Sequence, residues 1–306
     1  MKRIALLSII FVFIASSTLA IISMQMRVGE SREVERKVQI EKEYKPIPLL
    51  SENPPQPMLT ASSIFASDID SGLTLFEKNA DTPILPASTT KIITALVAID
   101  YYLLDDVLTV GMISIPGQKM RLVEGEKITV RDLLYGLLIF SANDAAEVLA
   151  ENYPGGRDEF ISSMNRKAKK INLSNTSFTN PTGLDGGGHY STAKDLVRAA
   201  SYGIQKPFFA EVVATQKKVV TSIDGKIVHN LTNINELVGE VDGVLGVKTG
   251  WTENAHENLV TYINRDDNRV MIALLGSGDR FEETKQLIDW IFENYKWEEV
   301  AGPEVE

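Results

Sequence analysis

The chain has 306 residues, of which 44% are hydrophobic and 24% are charged, so it is long and apolar enough to build a substantial core. Its formal net charge of −10 argues against nucleic acid as the main partner, because phosphate backbones are bound mainly by clustered Lys and Arg. The lack of cysteine excludes disulfides, thiolate nucleophiles and cysteine-bound zinc.

The N-terminal segment predicts export from the cytoplasm. Lys2 and Arg3 precede an uncharged run over residues 4–24, which is long enough to cross a bilayer as a helix. The basic residues predict that the N-terminus stays in the cytoplasm. The alternative is a signal peptide cleaved after Thr18-Leu19-Ala20. We expect residues 1–24 to be a transmembrane signal-anchor or a signal peptide, and the rest of the chain to lie outside the cell membrane.

Residues 25–57 are predicted to form a stalk. Mixed charges dominate residues 30–45, and five prolines follow between residues 46 and 57. Proline disfavours regular structure and stiffens a chain toward an extended form. We therefore expect the globular domain to comprise residues 58–306.

The predicted elements of this domain place strands at both ends and helices between them. An early β-hairpin is expected on either side of Asp70-Ser71-Gly72. Helical patterns then follow over residues 88–102, 129–140, 143–152, 157–171 and 191–204. The last third contains a hairpin around Asp224-Gly225, a second hairpin and a closing helix over 281–295. This order indicates one antiparallel sheet with strands from both ends and an inserted helical region.

Ser88 and Lys91 form a Ser-x-x-Lys motif at the start of a predicted helix. Their spacing puts both side chains on one helix face. The helix that follows is apolar on all sides, which is typical of a buried helix. Burial would lower the pKa of the Lys91 amine, and a neutral lysine can take a proton from serine. The alternative is an ordinary helix cap with a solvated lysine.

Two further polar motifs follow apolar runs. Ser141-Ala142-Asn143 begins 53 residues after Ser88, and Lys248-Thr249-Gly250 begins 107 residues after Ser141. Each motif alone is explained as well by a helix cap or by a common tripeptide. Together, in this order, they match the three motifs of β-lactamases and penicillin-binding proteins.

On these motifs the chain resembles the low-molecular-mass penicillin-binding proteins of the D-alanyl-D-alanine carboxypeptidase group, peptidase family S11. The resemblance runs from about residue 58 to residue 295, and it includes Pro86-Ala87 before Ser88, residues 178–185 and Trp251-Thr252. It implies an α/β fold of the β-lactamase/transpeptidase-like type. In that fold a five-stranded antiparallel sheet is flanked by helices and joined by a mostly helical subdomain.

The resemblance also implies catalytic roles. Ser88 would attack the carbonyl group between two D-alanines, with Lys91 as general base. The backbone N–H groups of Ser88 and Trp251 would form the oxyanion hole. Ser141 would relay a proton toward the leaving amine, and Asn143 would bind Lys91 and the substrate amide.

Substrate-binding roles follow from the same resemblance. Lys248 would add positive charge that helps keep Lys91 neutral, and Thr249 and Arg280 would hold the terminal carboxylate. The residues expected to bind substrate are Lys248, Thr249, Gly250, Trp251 and Arg280. No metal or organic cofactor is expected. The expected partners are peptidoglycan stem peptides, β-lactam antibiotics as covalent inhibitors and the membrane through the N-terminal helix, but not nucleic acid.

The expected function is that of a serine-type D-Ala-D-Ala carboxypeptidase acting on stem pentapeptides through an acyl-enzyme on Ser88. A D,D-endopeptidase that cuts crosslinks shares all three motifs. A class A β-lactamase would need Glu-x-x-Leu-Asn between Asn143 and Lys248, where the sequence has none. A non-catalytic wall-binding module is disfavoured because every catalytic side chain is present. His189 is expected to be structural or groove-lining rather than catalytic.

Overall fold

The computed structural model describes residues 45–52 and 54–299. The predicted membrane anchor over residues 1–24 and residues 25–44 of the predicted stalk lie outside these residues. Within the described part of the chain, no helix has both the length and the apolar character needed to cross a membrane. The described residues belong to one compact unit.

The order of elements follows the predicted scheme of strands, helices and strands. The strands are β1 (Ile47–Leu50), β2 (Ser63–Asp68), β3 (Thr74–Lys78), β4 (Val107–Thr109), β5 (Lys127–Thr129), β6 (Lys217–Thr221), β7 (Val228–Thr232), β8 (Val244–Thr252), β9 (His256–Arg265), β10 (Asn268–Ser277) and β11 (Tyr295–Glu298). The helices are α1 (Lys91–Tyr101), α2 (Val130–Leu138), α3 (Asn143–Glu151), α4 (Gly156–Lys170), α5 (Ala193–Ile204), α6 (Pro207–Ala214) and α7 (Arg280–Asn294).

The central sheet has five antiparallel strands in the order β3-β2-β10-β9-β8. Strands β2 and β3 form the predicted early hairpin, and β9 and β10 form a late one. The pairing of β2 with β10, for example Ala66 with Ile272, joins the two ends of the domain. The sheet is therefore antiparallel and takes its strands from both ends of the domain, as the sequence predicts.

Strand β10 shows how the sheet separates two cores. Successive side chains of a strand point to opposite faces. Val270, Ile272 and Leu274 belong to the core beneath α7, together with Leu287 and Ile291. The alternate residues of the strand, from Met271 to Leu275, belong to the larger core that contains helices α1 to α6.

Helix α1 lies inside this larger core. Every residue from Lys91 to Ala98 is buried, as the all-apolar pattern predicts. The five other predicted helices are also present as α2, α3, α4, α5 and α7, with ends within two residues of the predicted ones, whereas α6 and the short strands β4 and β5 were not predicted. The core packing of α1 fixes the position of Lys91, its first residue.

The domain begins earlier than residue 58, the boundary predicted from the prolines. Strand β1 pairs antiparallel with β11, and Pro48 lies opposite Trp297. Trp290 Nε1 also donates a hydrogen bond to the Pro55 carbonyl at 2.7 Å. Proline is tolerated here because a two-stranded ribbon consists only of edge strands, where a missing N–H need not break a ladder. Residues 45–52 and 54–57 are thus part of the folded domain and not of a free stalk.

Candidate active site

Ser88 lies in a 3₁₀ turn, Ala87–Thr90, that leads into α1. The predicted helix over residues 88–102 therefore begins as a tighter turn. Thr89 fixes this turn, because its N–H and its hydroxyl both donate to the Pro86 carbonyl, at 3.2 and 2.6 Å. Ser88 itself is only half-buried and faces a cleft. The turn thus presents one hydroxyl at the end of a buried helix.

The Lys91 amine lies directly behind this hydroxyl. Its Nζ is 2.9 Å from Ser88 Oγ and donates to the Thr182 carbonyl at 2.6 Å. The residue is completely buried, and this burial lowers the pKa of Lys91 to about 7, although the charges of Glu147 and Asp144 oppose the change. Near neutral pH a large fraction of the amine is therefore uncharged, as a general base for Ser88 requires.

The second motif borders the cleft at the start of α3. Ser141 is buried and takes a left-handed backbone conformation, with φ +62°. Asn143 Nδ2 donates to the Pro116 carbonyl at 2.8 Å. Within the described structure no hydrogen bond joins Asn143 to Lys91, whose Nζ donates to the Thr182 carbonyl. Binding of Asn143 to Lys91 and to the substrate amide therefore stays a prediction of the resemblance.

The third motif lies on β8, the edge strand beside the cleft. Lys248 is buried, and its Nζ donates to the Thr249 carbonyl at 3.0 Å. Burial lowers the pKa of Lys248 well below its usual value, and the charges of Lys91 and Arg280 lower it further. Burial is the main cause of the lowered pKa of Lys91, as the apolar helix after it predicts.

Gly250 brings β8 against the turn that carries the nucleophile. A Cβ atom on residue 250 would lie 3.0 Å from the Pro86 carbonyl oxygen and 3.1 Å from the Ser88 nitrogen. A side chain at this position of the third motif would therefore crowd the turn that carries Ser88. The Trp251 side chain is 61% exposed, which is consistent with the expectation that only its main chain is used.

The three motifs surround one cleft of about 770 Å³. The predicted site residues that line it are Ser88, Ser141, Asn143, Thr249, Gly250, Trp251 and Arg280. Lys91 and Lys248 are buried and do not line it. The structure thus brings every predicted catalytic and substrate-binding residue to the cleft or directly behind its wall.

Two polar groups of the cleft lack partners within the described structure. Thr249 Oγ1 and Arg280 Nε are buried without a hydrogen bond, while Arg280 Nη1 donates to the Gly250 carbonyl at 3.1 Å. A buried polar group without a partner costs about 1–3 kcal/mol. A carboxylate placed at this end of the cleft would supply acceptors for both groups.

Sequence reasoning missed the partner of Lys91. Asn180 Oδ1 accepts hydrogen bonds from the backbone N–H groups of Thr182 and Gly183, at 3.2 and 2.7 Å. This turn directs the Thr182 carbonyl toward the Lys91 amine. The turn-forming residues Asn180-Pro181-Thr182-Gly183 are visible in the sequence, but their contact with α1 is not.

His189 has a structural role beside this turn. Its Nδ1 accepts from the Thr179 N–H at 3.1 Å, so its Nε2 carries the proton and donates to Thr90 Oγ1 at 2.9 Å. Burial lowers the pKa of His189 to about 4, which keeps the ring uncharged. Both nitrogens are occupied and the ring does not line the cleft. His189 is therefore structural, one of the two roles expected for it.

Curated proteins provide one comparison. The chain is 33% identical to D-alanyl-D-alanine carboxypeptidase DacF of Bacillus subtilis over 246 residues, which cover 77% of this chain and 63% of DacF. It is 33% identical to DacB2 of Mycobacterium tuberculosis over 248 residues, or 78% of this chain and 84% of DacB2. It is also 34% identical to a D-alanyl-D-alanine endopeptidase of Pseudomonas aeruginosa, over 78% of this chain and 79% of that protein.

Solved structures and a family model provide the other comparisons. The Streptomyces K15 DD-transpeptidase aligns with a TM-score of 0.74 at 30% identity, over 78% of this chain and all of that structure. This similarity confirms the predicted fold class. The family model described as D-alanyl-D-alanine carboxypeptidase matches residues 51–278. The chain therefore belongs to the D-alanyl-D-alanine carboxypeptidase family, peptidase family S11.

Proposed function

We propose that the protein is a serine-type D-Ala-D-Ala carboxypeptidase that removes the terminal D-alanine from peptidoglycan stem pentapeptides. One observation carries the proposal: Ser88 Oγ lies in an open cleft 2.9 Å from the amine of a completely buried lysine. That geometry suits acyl transfer to serine, since the nucleophile and its base are within hydrogen-bond reach. The family and its relatives named as carboxypeptidases support this substrate.

The first half-reaction forms an ester on Ser88. Lys91 takes the proton from the Ser88 hydroxyl as Oγ attacks the carbonyl carbon of the penultimate D-alanine. The C–N bond then breaks, and the proton held by Lys91 is relayed through the Ser141 hydroxyl to the departing amine of the terminal D-alanine, which leaves both residues in their starting states. Backbone N–H groups of Ser88 and Trp251 would stabilise the negative charge that develops on the carbonyl oxygen. The close contact of Gly250 with the Ser88 turn supports this pairing.

The second half-reaction hydrolyses the ester. A water molecule attacks the acyl carbon, Ser88 leaves with a proton, and the shortened peptide is released as a carboxylic acid. Thr249 and Arg280 recognise the original terminal carboxylate, and their buried, unpartnered atoms support that role. No step requires a metal or an organic cofactor.

The test is incubation with a pentapeptide that ends in D-Ala-D-Ala, followed by mass analysis. Loss of a single alanine residue is expected. A peptide ending in L-Ala-L-Ala should remain intact, and Ser88→Ala should neither process the pentapeptide nor be labelled by a fluorescent penicillin. An intact pentapeptide, with wild-type protein shown to be folded, would reject the proposal.

A second candidate is cleavage of peptide crosslinks. The 34% identity to an endopeptidase of Pseudomonas aeruginosa, close to that of the carboxypeptidase relatives, favours considering it. Purified crosslinked muropeptides distinguish the two activities, because an endopeptidase converts dimers to monomers. In both cases Ser88 forms the acyl-enzyme, so β-lactams are expected to acylate it.

We also propose that the domain acts outside the cytoplasmic membrane. The uncharged run over residues 4–24, with Lys2 and Arg3 before it, supports an anchor or an export signal. Protease added to intact spheroplasts should digest the domain, and removal of residues 1–24 should leave it protected in the cytoplasm. Equal protection of both forms would contradict this location.

A further inference from the structure

One wall of the cleft is formed by a loop over residues 110–126, which we call the wall loop. Two backbone hydrogen bonds of 2.8 Å close its base, from Val110 N–H to the Glu126 carbonyl and from Gly125 N–H to the Val110 carbonyl. Its outer part carries Pro116, Gly117 and Gln118, which line the cleft. The wall loop is thus part of the site, although it contains none of the three motifs.

The wall loop holds the second motif in position. Asn143 donates twice to it, from its backbone N–H to the Gln118 carbonyl and from Nδ2 to the Pro116 carbonyl, each at 2.8 Å. Asp144 accepts from the backbone N–H groups of Met120 and Leu122, each at 3.1 Å. A shift of the loop would therefore move Asn143 relative to Ser88.

His229 links this loop to strand β7. The residue is buried, and its Nδ1 lies 3.0 Å from the Met120 carbonyl oxygen while its Nε2 lies 2.7 Å from Glu126 Oε1. The other oxygen of Glu126 accepts from the Val123 N–H at 3.0 Å. A carbonyl oxygen only accepts, so Nδ1 of His229 carries a proton and donates it to the Met120 carbonyl. Both ring nitrogens are thus bonded to the wall loop.

We propose that His229, together with Glu126, is a positioning residue for the acylation reaction, acting through the wall loop on Asn143. This inference rests on the proposed function. The pair is buried and lies outside the three motifs, and its hydrogen bonds are to the loop that lines the cleft. Removing the ring would free the inner side of the loop at Met120 and leave the Glu126 carboxylate buried without its partner.

Acylation of the full chain by a fluorescent penicillin tests the inference. The maximum acylation rate and the half-saturating concentration are measured separately, per molecule of folded protein. His229→Ala should lower the maximum rate by about tenfold or more, because small displacements of reacting groups are costly. The half-saturating concentration should change by less than about threefold, because the loop supplies geometry rather than the main binding contacts. The exposed neighbour Asn230→Ala is the matched control and should match wild type.

Two substitutions of Glu126 test whether its hydrogen bond to His229 is what the acylation rate requires. In Glu126→Gln the amide donates to His229 Nε2 and its oxygen still accepts from Val123, so the maximum rate should stay within about threefold of wild type. Glu126→Ala should reproduce the loss seen with His229→Ala. This pair carries the test if His229→Ala does not fold.

The outcomes separate the two proposals. Wild-type protein that neither processes the pentapeptide nor reacts with penicillin would reject both of them. An active wild type, with variants whose rate per folded molecule is unchanged, would reject only the positioning role of His229. The same follows if Glu126→Gln and Glu126→Ala lose the same activity, because the hydrogen-bonded link would then not matter.

Discussion

Gly183 packs directly against the carbonyl group of Ala87, the residue that precedes the proposed nucleophile. Its backbone is left-handed, with φ +86°, and a Cβ atom on residue 183 would overlap the Ala87 carbonyl oxygen and lie 3.0 Å from the Ser88 nitrogen. Gly250 approaches the same nitrogen from β8. The turn that presents Ser88 therefore lies between two backbones, of which the one at Gly183 leaves no room for a side chain and the one at Gly250 leaves little.

Gly183→Ala should consequently lower penicillin acylation by about 100-fold, because the added methyl displaces the Ser88 turn from Lys91. Gly187→Ala, in the same loop but with no atom within 4 Å of the added Cβ, is the matched control and should keep the wild-type rate. The acylation rate constants of the folded variants provide the measurement. Equal rates for the two variants would show that the close contact at Gly183 does not position the nucleophile.

The acylation rate should depend on pH through Lys91. The pKa of this amine is lowered to about 7 by burial, and only the uncharged form accepts the Ser88 proton. The rate should therefore be low below this pH, rise through about 7 and reach a plateau above it. Rate constants for penicillin acylation between pH 5 and pH 9 test this. A rate that falls as pH rises from 6 to 8 would contradict the role of Lys91 as base.

Glu147 provides a directional test of the same assignment. Its negative charge raises the pKa of Lys91, so Glu147→Gln should move the midpoint of the acylation profile to lower pH. Arg157, which binds Glu147 at 2.7 Å, has a side chain that is 40% exposed and can be solvated after the change. Glu151→Gln on the same helix is the control and should leave the midpoint unchanged. A midpoint that moves to higher pH in Glu147→Gln would contradict the electrostatic argument.

Truncation at two positions should separate the role of β1 from that of the segment before it. Removal of residues 1–44 keeps β1, whereas removal of residues 1–57 deletes it together with the Pro55 contact to Trp290. The longer truncation should lower the free energy of unfolding by about 1–3 kcal/mol relative to the shorter one. Denaturant unfolding of both forms measures this difference.

Penicillin should acylate both truncated proteins at the same rate at a temperature where both are folded. Strand β11, the partner of β1, lies near β2 and β3, where Trp297 Nε1 donates to Asp68 at 3.0 Å and the Tyr295 hydroxyl donates to the Leu75 carbonyl at 2.7 Å. The cleft lies at the opposite edge of the sheet, beside β8. Equal stability of the two forms would show that β1 adds nothing to the domain.

Sequence reasoning succeeded where the relevant signal is local. The pair Ser88 and Lys91 is one helical turn apart, and the burial of Lys91 follows from the apolar residues directly after it. The spacing of apolar residues along the chain likewise located most of the central sheet and helices α1 to α5. In these cases the residues that determine the structure are neighbours in the chain.

The missed features depend on contacts between distant segments. The wall loop has no periodic pattern, so nothing in residues 110–126 shows that Pro116 will accept a hydrogen bond from Asn143. The hydrogen bond from Lys91 to the Thr182 carbonyl likewise joins segments far apart in the chain, so the local sequence does not predict it. The prolines in and around β1 argued against a strand, and its partner β11 lies far away in the chain, so the pairing could not be predicted.

Arg280, which also lines the cleft, offers a test of substrate recognition. Its unpartnered Nε is expected to bind the terminal carboxylate of the peptide, and hydrogen bonds to charged groups contribute about 1.5–3 kcal/mol. Arg280→Leu should therefore raise KM for the pentapeptide by about 10- to 100-fold. Lys285→Ala, which removes a positive charge from the same helix, is the control and should leave KM unchanged.

The same variant also separates carboxylate binding from a general disturbance of β8. Arg280 Nη1 donates to the Gly250 carbonyl, so its loss could move the strand itself. A pentapeptide amide, which lacks the terminal charge, reports on that movement alone. If Arg280 binds the carboxylate, Arg280→Leu should change turnover of the amide by less than about threefold while it raises KM for the free acid. Equal losses for acid and amide would assign Arg280 to the support of β8 and not to recognition of the carboxylate.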